Sequence, residues 1–325
     1  MALDTLQFDT IRPEMLRVQQ NIEQHVRGKQ RQVQLALVTM LARGHLLIED
    51  VPGVGKTTLA HMLAASIDCT FRRVQFTSDL LPSDVLGVTI YNRESGEFEF
   101  KPGPIFTSVL LADEINRSTP KTQSCLLEAM SAEAVSMDNH TMALPQPFMV
   151  IATQNPIEVH GTFPLPQSQL DRFMMRLTMG YPGREAEIDV LRDQVRNIDF
   201  STVEPLIHGS DVVRMQDEVT RVHMSDALLE YLSRIVTATR EAQDVELGVS
   251  TRGALALRNA AKAHAWYFGR DYVIADDIKL LCPLVLGHRL QLAQTFDGFG
   301  SGWARGERPD QAVVERLIES VPVPV

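Results

Sequence analysis

The sequence predicts an α/β chain: a parallel sheet with helices on both faces, then a second region that is helical throughout. Three observations carry this. The apolar run "HLLIE" at 45–49 passes through a glycine-rich turn into the helical stretch "KTTLAHMLAASI" at 56–67. Further apolar runs at 108–113 ("SVLLAD"), 148–153 ("FMVIAT") and 173–179 ("FMMRLTM"), with "CTFRRVQF" at 69–76 as a weaker fifth, alternate with helical segments such as "KTQSCLLEAM" at 121–130. That alternation is the pattern of βαβ units. From residue 184 onward the apolar spacing is helical and no strand signal competes.

Taken in order, residues 16–43 carry apolar positions at helical spacing, among them Leu35, Leu37, Val38, Met40 and Leu41, and stop at Arg43-Gly44. Apart from the weaker run at 69–76, the runs carry apolar residues at consecutive positions, as strands buried on both faces require. Two interruptions, at 80–105 and 131–147, carry Gly, Asn and Pro turn residues and read as short hairpins. The turn Tyr181-Pro182-Gly183 is the expected hinge, dividing a nucleotide-binding domain at 1–183 from a helical lid at 184–325. In the lid, "AEIDVLRDQV", "SDALLEYLSRIVTATR", "TRGALALRNAAKAHAWYF" and "QAVVERLIES" are helical in period.

A chain of 325 residues with 44% hydrophobic and 22% charged residues reads as globular and has length for a substantial core. Thirty-one basic against 41 acidic residues leave a formal charge of -10, which disfavours a general nucleic-acid surface. The two inserts add only Arg93 and Lys101. Cys69, Cys125 and Cys282 are odd in number and far apart, so they suggest neither a disulfide scaffold nor a zinc cage. The first residues do not read as a secretory signal and no apolar run approaches a membrane span, so a cytoplasmic setting is expected.

The chemistry is concentrated in "DVPGVGKTTLA" at 50–60. Pro52, Gly53, Val54, Gly55, Lys56, Thr57 and Thr58 form a loop in which glycines let backbone N–H groups approach a phosphate. The helix beginning at Lys56 turns its free N–H groups and dipole to the anion. Lys56 suits the β- and γ-phosphates, and the Thr57 hydroxyl suits Mg2+. Asp50 stands where the usual pattern has glycine, and its carboxylate is expected to point away from phosphate. Asp113 ends an apolar strand and is expected beside the loop of a neighbouring strand, holding the metal, with Glu114 orienting the attacking water. Asn155 follows a third strand and can reach the water or γ-phosphate, although Asn-Pro is also an ordinary turn signal. Taken alone, Arg172, at the end of a helical stretch ahead of a strand, is usually a solvated or paired surface group.

These stretches, with "GPIFTSVLLADEINRSTPKTQSCLLEAM", "GTFPLPQSQLDRFMMRL", "YPGRE" and "GVSTRGALALRNAAKAHAWYFGRDYVIADDIK", resemble the MoxR family of AAA+ ATPases over residues 20–290. The resemblance implies a P-loop NTPase core with two hairpin inserts and a helical lid, ATP and Mg2+ as cofactors, and a homo-hexameric ring. It gives Lys56, Thr57, Asp113 and Glu114 the roles already described. It makes Asn155 the γ-phosphate sensor, Arg172 the arginine finger for a neighbouring subunit, and Arg252 a second sensor on the lid. It also brings Val26 and Gly28, otherwise merely a turn, to the adenine. An acidic residue at position 50 is familiar in the family. Gly253 stands where the family usually has alanine. The implied function is remodelling, maturation or metal loading of a client protein, with a partner carrying a von Willebrand factor A domain. A nucleotide-dependent scaffold and a nucleic-acid motor are the alternatives; Glu114 speaks against the first and the negative charge against the second.

Overall fold

The computed structural model describes residues 12–94, 96–137, 140–156, 161–192, 200–293 and 308–324. Strands β1 (Leu46–Glu49), β2 (Phe71–Gln75), β5 (Val109–Asp113), β8 (Met149–Gln154) and β9 (Met175–Leu177) form one sheet in the order β2-β5-β8-β1-β9. Every pairing in it is parallel. The consecutive apolar residues of these strands divide between two cores. Leu46, Ile48, Val109, Leu111, Met149 and Ile151 face one cluster, while Leu47, Leu110, Ala112, Val150 and Ala152 face the other. A period of two with apolar residues on both sides is what removes alternation from the sequence.

The first core is shared with α1 (Pro13–Glu23), α2 (Gln30–Leu41) and α3 (Lys56–Ser66), the second with α4 (Pro82–Leu86) and α5 (Pro120–Ala132). The helical spacing over 16–43 is realised as α1 and α2, broken at a turn where Gly28 has φ +67°. The two inserts are antiparallel hairpins: β3 (Gly87–Asn92) with β4 (Glu97–Pro102), and β6 (Ala134–Met137) with β7 (His140–Ala143). Short α6 (Gln167–Leu170) precedes β9.

Beyond the sheet come α7 (Arg184–Arg192), α8 (Gly209–Arg221), α9 (Asp226–Glu241), α10 (Thr251–Tyr267), α11 (Ala275–Leu286) and α12 (Pro309–Ser320). The stretch 193–195 of the first helix expected here lies outside the described residues. The expectation of no strand in this region needs correcting, because β10 (Val245–Leu247) pairs antiparallel with β11 (Gln291–Leu292). Strands of three and two residues are too short to set up a readable period, and only the tertiary approach of their loops pairs them.

The lid does not stand apart from the sheet domain. Helix α11 packs on β9, and α10 packs on α2. Arg12 donates from Nε to the Trp266 carbonyl at 2.9 Å and lies 4.3 Å over that indole, while the Tyr267 hydroxyl donates to Gln19. One hydrophobic core therefore runs from Val18 and Ile22 of α1 to Leu257 and Leu281 of the lid.

Candidate nucleotide site

The loop between β1 and α3 has the backbone its sequence requires. Gly53 and Gly55 have φ +83° and +91°, and a Cβ at either would project into open space. Both features fit a cradle lined by backbone rather than side chains. Lys56 donates from Nζ to the Asp50 carbonyl at 2.9 Å. Burial lowers its pKa, and the charges of Asp50, Asp113 and Glu114 pull it up, so all three carboxylates act on this ammonium. Thr57 and Thr58 are half-buried on the first turn of α3, Pro52 is exposed and Val54 is buried.

Asp50 is turned from the loop. Its Oδ1 accepts from the Val51 N–H at 2.7 Å and its Oδ2 from the Gly180 N–H at 2.5 Å, with the residue buried. The side chain straps the start of the loop to the turn after β9. In the same region Lys29 donates to the Tyr181 carbonyl at 2.8 Å, and a Cβ on Gly28 would touch Ala186 at 3.0 Å. Tightly turned Gly28 thus lies against the 178–186 segment that Asp50 holds to the phosphate loop, and Val26, two residues earlier, is buried.

The acidic pair is one strand farther away than expected. Strand β8 lies between β1 and β5, which separates the phosphate-loop strand from Asp113 by two interstrand spacings, about 10 Å. Sequence shows which runs are strands but not which are neighbours. The intervening strand supplies a residue that the sequence reading missed. Thr153, fully buried, donates from Oγ1 to Asp113 Oδ1 at 2.6 Å and accepts from the Glu114 N–H at 2.9 Å. Glu114 has left-handed backbone, φ 55° and ψ 49°, a conformation that non-glycine residues hold at a cost of about 1 kcal/mol or more. The Thr153 bond accompanies that turn.

Asp113 Oδ2 and one Glu114 oxygen are also engaged. Arg73 donates from Nη2 to Asp113 Oδ2 at 2.6 Å, and Glu114 Oε2 accepts from Gln75 at 2.7 Å and Arg117 at 2.9 Å. Arg73 and Gln75 alternate on β2, and the register that sets Gln75 opposite Asp113 is what brings them here. Asn155 is buried just past β8, where Gln154 accepts from the Asp50 N–H at 3.1 Å.

Arg172 and Arg252 do not join this group. They line a cavity of about 570 Å³ with Gly44, His45, Ser131 and Met174. Residues 44–45 and 174 precede β1 and β9, so the cavity opens at the amino-terminal edge of the sheet, while the phosphate loop, Asp113 and Asn155 follow carboxyl ends. The length of β1 alone, about 13 Å, separates those edges. Ser250, two residues before Arg252, donates to Asp171 at 2.9 Å, and Arg252 lines the same cavity as the arginine finger candidate. Arg172 donates from Nη1 to the Leu127 carbonyl and to Ser131 Oγ.

The residues present fit ATP and Mg2+: an open backbone cradle, a lysine within the field of three carboxylates, and hard oxygen donors in Thr57 and Asp113. Among the described residues no cluster of His, Cys, Asp and Glu suits a resident metal.

Comparison with known proteins agrees with this geometry. The signature of the ATPase family associated with various cellular activities (AAA) matches residues 45–175, and that of the AAA lid domain matches 237–314. Chaperone MoxR1 of Mycobacterium tuberculosis is 38% identical over 91% of this chain and 79% of its own. The chain belongs to the MoxR family of AAA+ ATPases. The Bacillus subtilis protein called Uncharacterized protein YeaC is 47% identical over 98% of this chain and 97% of its own. Among solved structures, a putative ATPase from Cytophaga hutchinsonii superposes with TM-score 0.85 at 38% identity, covering 96% of this chain and 95% of that one. As in that class, a parallel five-stranded sheet is followed by a helical region.

Proposed function

We propose that this MoxR-family chain hydrolyses ATP with Mg2+ in a homo-hexameric ring and uses the energy to remodel a client protein. The observation that carries the reading is the placement of its charges: a phosphate cradle at one sheet edge and the pair Arg172 and Arg252 at the other. Subunits packed head to tail would set the arginines of one against the loop of the next, and a closed ring leaves no such face unmatched. The units are 1–183 for the nucleotide and 184–325 for the lid.

In this reading Lys56 and the loop N–H groups bind the β- and γ-phosphates, and Val26 and Gly28 border the adenine. Thr57 and Asp113 would hold Mg2+, which would supply positive charge to the phosphate oxygens. Glu114 exchanges its bond to Gln75 or Arg117 for the attacking water, orients it and takes up its proton. Asn155 orients that water or the γ-phosphate, and Thr153 keeps Asp113 and Glu114 in register. Arg172 and Arg252 stabilise charge on the neighbour's transferring phosphoryl group, an effect of about 10³- to 10⁵-fold in other phosphoryl enzymes. The chaperone name of the mycobacterial relative supports a protein client. The family resemblance supports a partner with a von Willebrand factor A domain, and the three scattered cysteines support a reducing, cytoplasmic site of action. The -10 charge supports neither DNA nor RNA as the client.

Subunit mixing tests the shared site. Lys56→Ala and Arg172→Ala chains are each expected to be inactive, and their mixture is expected to regain turnover, because some interfaces pair an intact loop with an intact arginine. Subunit exchange is followed separately by fluorescence transfer. Exchange with turnover at background for every ratio would defeat the model. Glu114→Gln is expected to bind a fluorescent ATP analogue like the parent while losing turnover.

A further inference from the structure

The chain neighbour of Arg172 is where the lid and the sheet domain are tied together. Asp171 Oδ1 accepts from Arg289 Nε at 2.7 Å, and Asp171 Oδ2 accepts from Ser250 Oγ at 2.9 Å. Arg289 comes from the turn that follows α11, and its side chain is 2% exposed. It reaches along the backbone of the same loop, donating to the carbonyls of Asp171 at 3.0 Å, Phe173 at 2.7 Å and Met174 at 3.1 Å. Ser250 has a second task, since its Oγ accepts from the Gly253 N–H at 3.1 Å and caps α10. Arg252 occupies the first turn of that helix.

Gly253 belongs to the same junction. A Cβ there would lie 2.7 Å from Arg289 Cδ and 2.6 Å from Val249 Cγ1. Glycine at this position leaves room for the Arg289 side chain to pass. One carboxylate thus holds two lid elements, one bearing Arg252, against the loop bearing Arg172. The planar guanidinium also fixes direction as well as distance.

We propose that Asp171, Ser250 and Arg289 are positioning residues that hold Arg172 and Arg252 at one spacing, so that both arginines are presented to the neighbouring subunit as a single rigid unit. The proposal rests on the shared-site reading for its catalytic consequence, but not for the rigidity itself. The lid does not swing freely about Tyr181-Pro182-Gly183, because any such rotation must first break the Asp171 contacts.

Two measurements test it. In dilute, unassembled chain, hydrogen exchange at the amides of Phe173 and Met174 is compared with exchange at Gly253 and Ala254, all four of which donate hydrogen bonds. Protection is expected to agree within about threefold in the parent, as for one cooperative unit. It is expected to fall together by at least about tenfold in Asp171→Ala. Asp171→Ala leaves Arg289 buried without its carboxylate, among carbonyls and the His288 ring, so global unfolding is monitored alongside. Ser250→Gly is the milder cut, since glycine retains most of serine's cap strength while the link to Asp171 is gone. Ser250→Thr keeps both bonds and is expected to behave as the parent. In assembled protein, kcat is expected to drop at least about tenfold in Asp171→Ala and about threefold in Ser250→Gly, with KM for ATP within twofold of the parent. Segments already differing more than tenfold in the parent, or unchanged in both variants, would overturn the proposal. So would parental kcat in both variants when Arg172→Ala is inactive. If Arg172→Ala itself turns over normally, the shared-site reading falls, and the exchange data alone still decide whether the junction is rigid.

Discussion

Asp50 satisfies two backbone N–H groups, so its contribution is to loop placement rather than to charge at the phosphates. Asp50→Gly is therefore expected to change affinity for a fluorescent ATP analogue by less than about tenfold, or 1.4 kcal/mol. It should also lower unfolding free energy by about 1–3 kcal/mol, because the Gly180 N–H loses its partner. A hundredfold gain in affinity would show that the carboxylate suppresses binding. Thr153 offers a second test. Thr153→Val keeps the branched shape and removes the hydroxyl that joins Asp113 to the Glu114 N–H. Turnover is expected to fall at least tenfold and half-saturation by Mg2+ to rise, and parental values for both would refute the positioning role. Asp113 and Glu114 were legible because they stand together in one short stretch, whereas Thr153 reads simply as a β-branched strand residue.

At the scale of elements, β1, β8 and α5 meet at His45. Its Nδ1 accepts from the Val150 N–H at 3.1 Å, so the neutral ring's Nε2–H donates to the Met130 carbonyl at 3.1 Å. Burial pushes the His45 pKa down to about 4, and burial also carries that of His288 well below the ordinary histidine value. Histidines with lowered folded pKa bind protons more readily in the unfolded chain. Stability is thus fully present above about pH 6.5 and is lost as pH falls toward about 4. The His45 share is up to about 3 kcal/mol. Urea unfolding at pH 7.5, 6 and 5 should show a falling midpoint, and a flat profile would contradict the buried neutral ring. The strands and long helices here were readable from period, and the hairpins from their turn residues. The pair β10 and β11 was not, since two or three residues show no period.

For the whole molecule, the core crosses the proposed division at 183, with α1 bound to Trp266 and Tyr267 and α2 packed on α10. A chain ending at 183 would expose the apolar faces of α1 and α2, and we expect it to lose cooperative thermal unfolding. A sharp transition in the truncated chain would show that the sheet domain is independent of the lid. The same packing explains why Arg252 could be recognised but not located from sequence. Its motif is local, but the edge of the sheet beside which it lies depends on how α10 docks.

The sequence by itself determined the contiguous chemistry: the turn Gly53 to Thr57, the acids at a strand end, and the two-sided apolar strands that demand helices on both faces. Those properties depend on residues within one turn or strand of each other, so local backbone preferences and period suffice to reveal them. Tertiary structure alone decided that β8 separates β1 from β5, that Thr153 joins the acids, and that Asp171 gathers Ser250 and Arg289 beside Arg172. These contacts unite residues 39 to 118 positions apart. They form only when the sheet order and the lid's docking bury the intervening apolar surface, a global balance that no short stretch encodes.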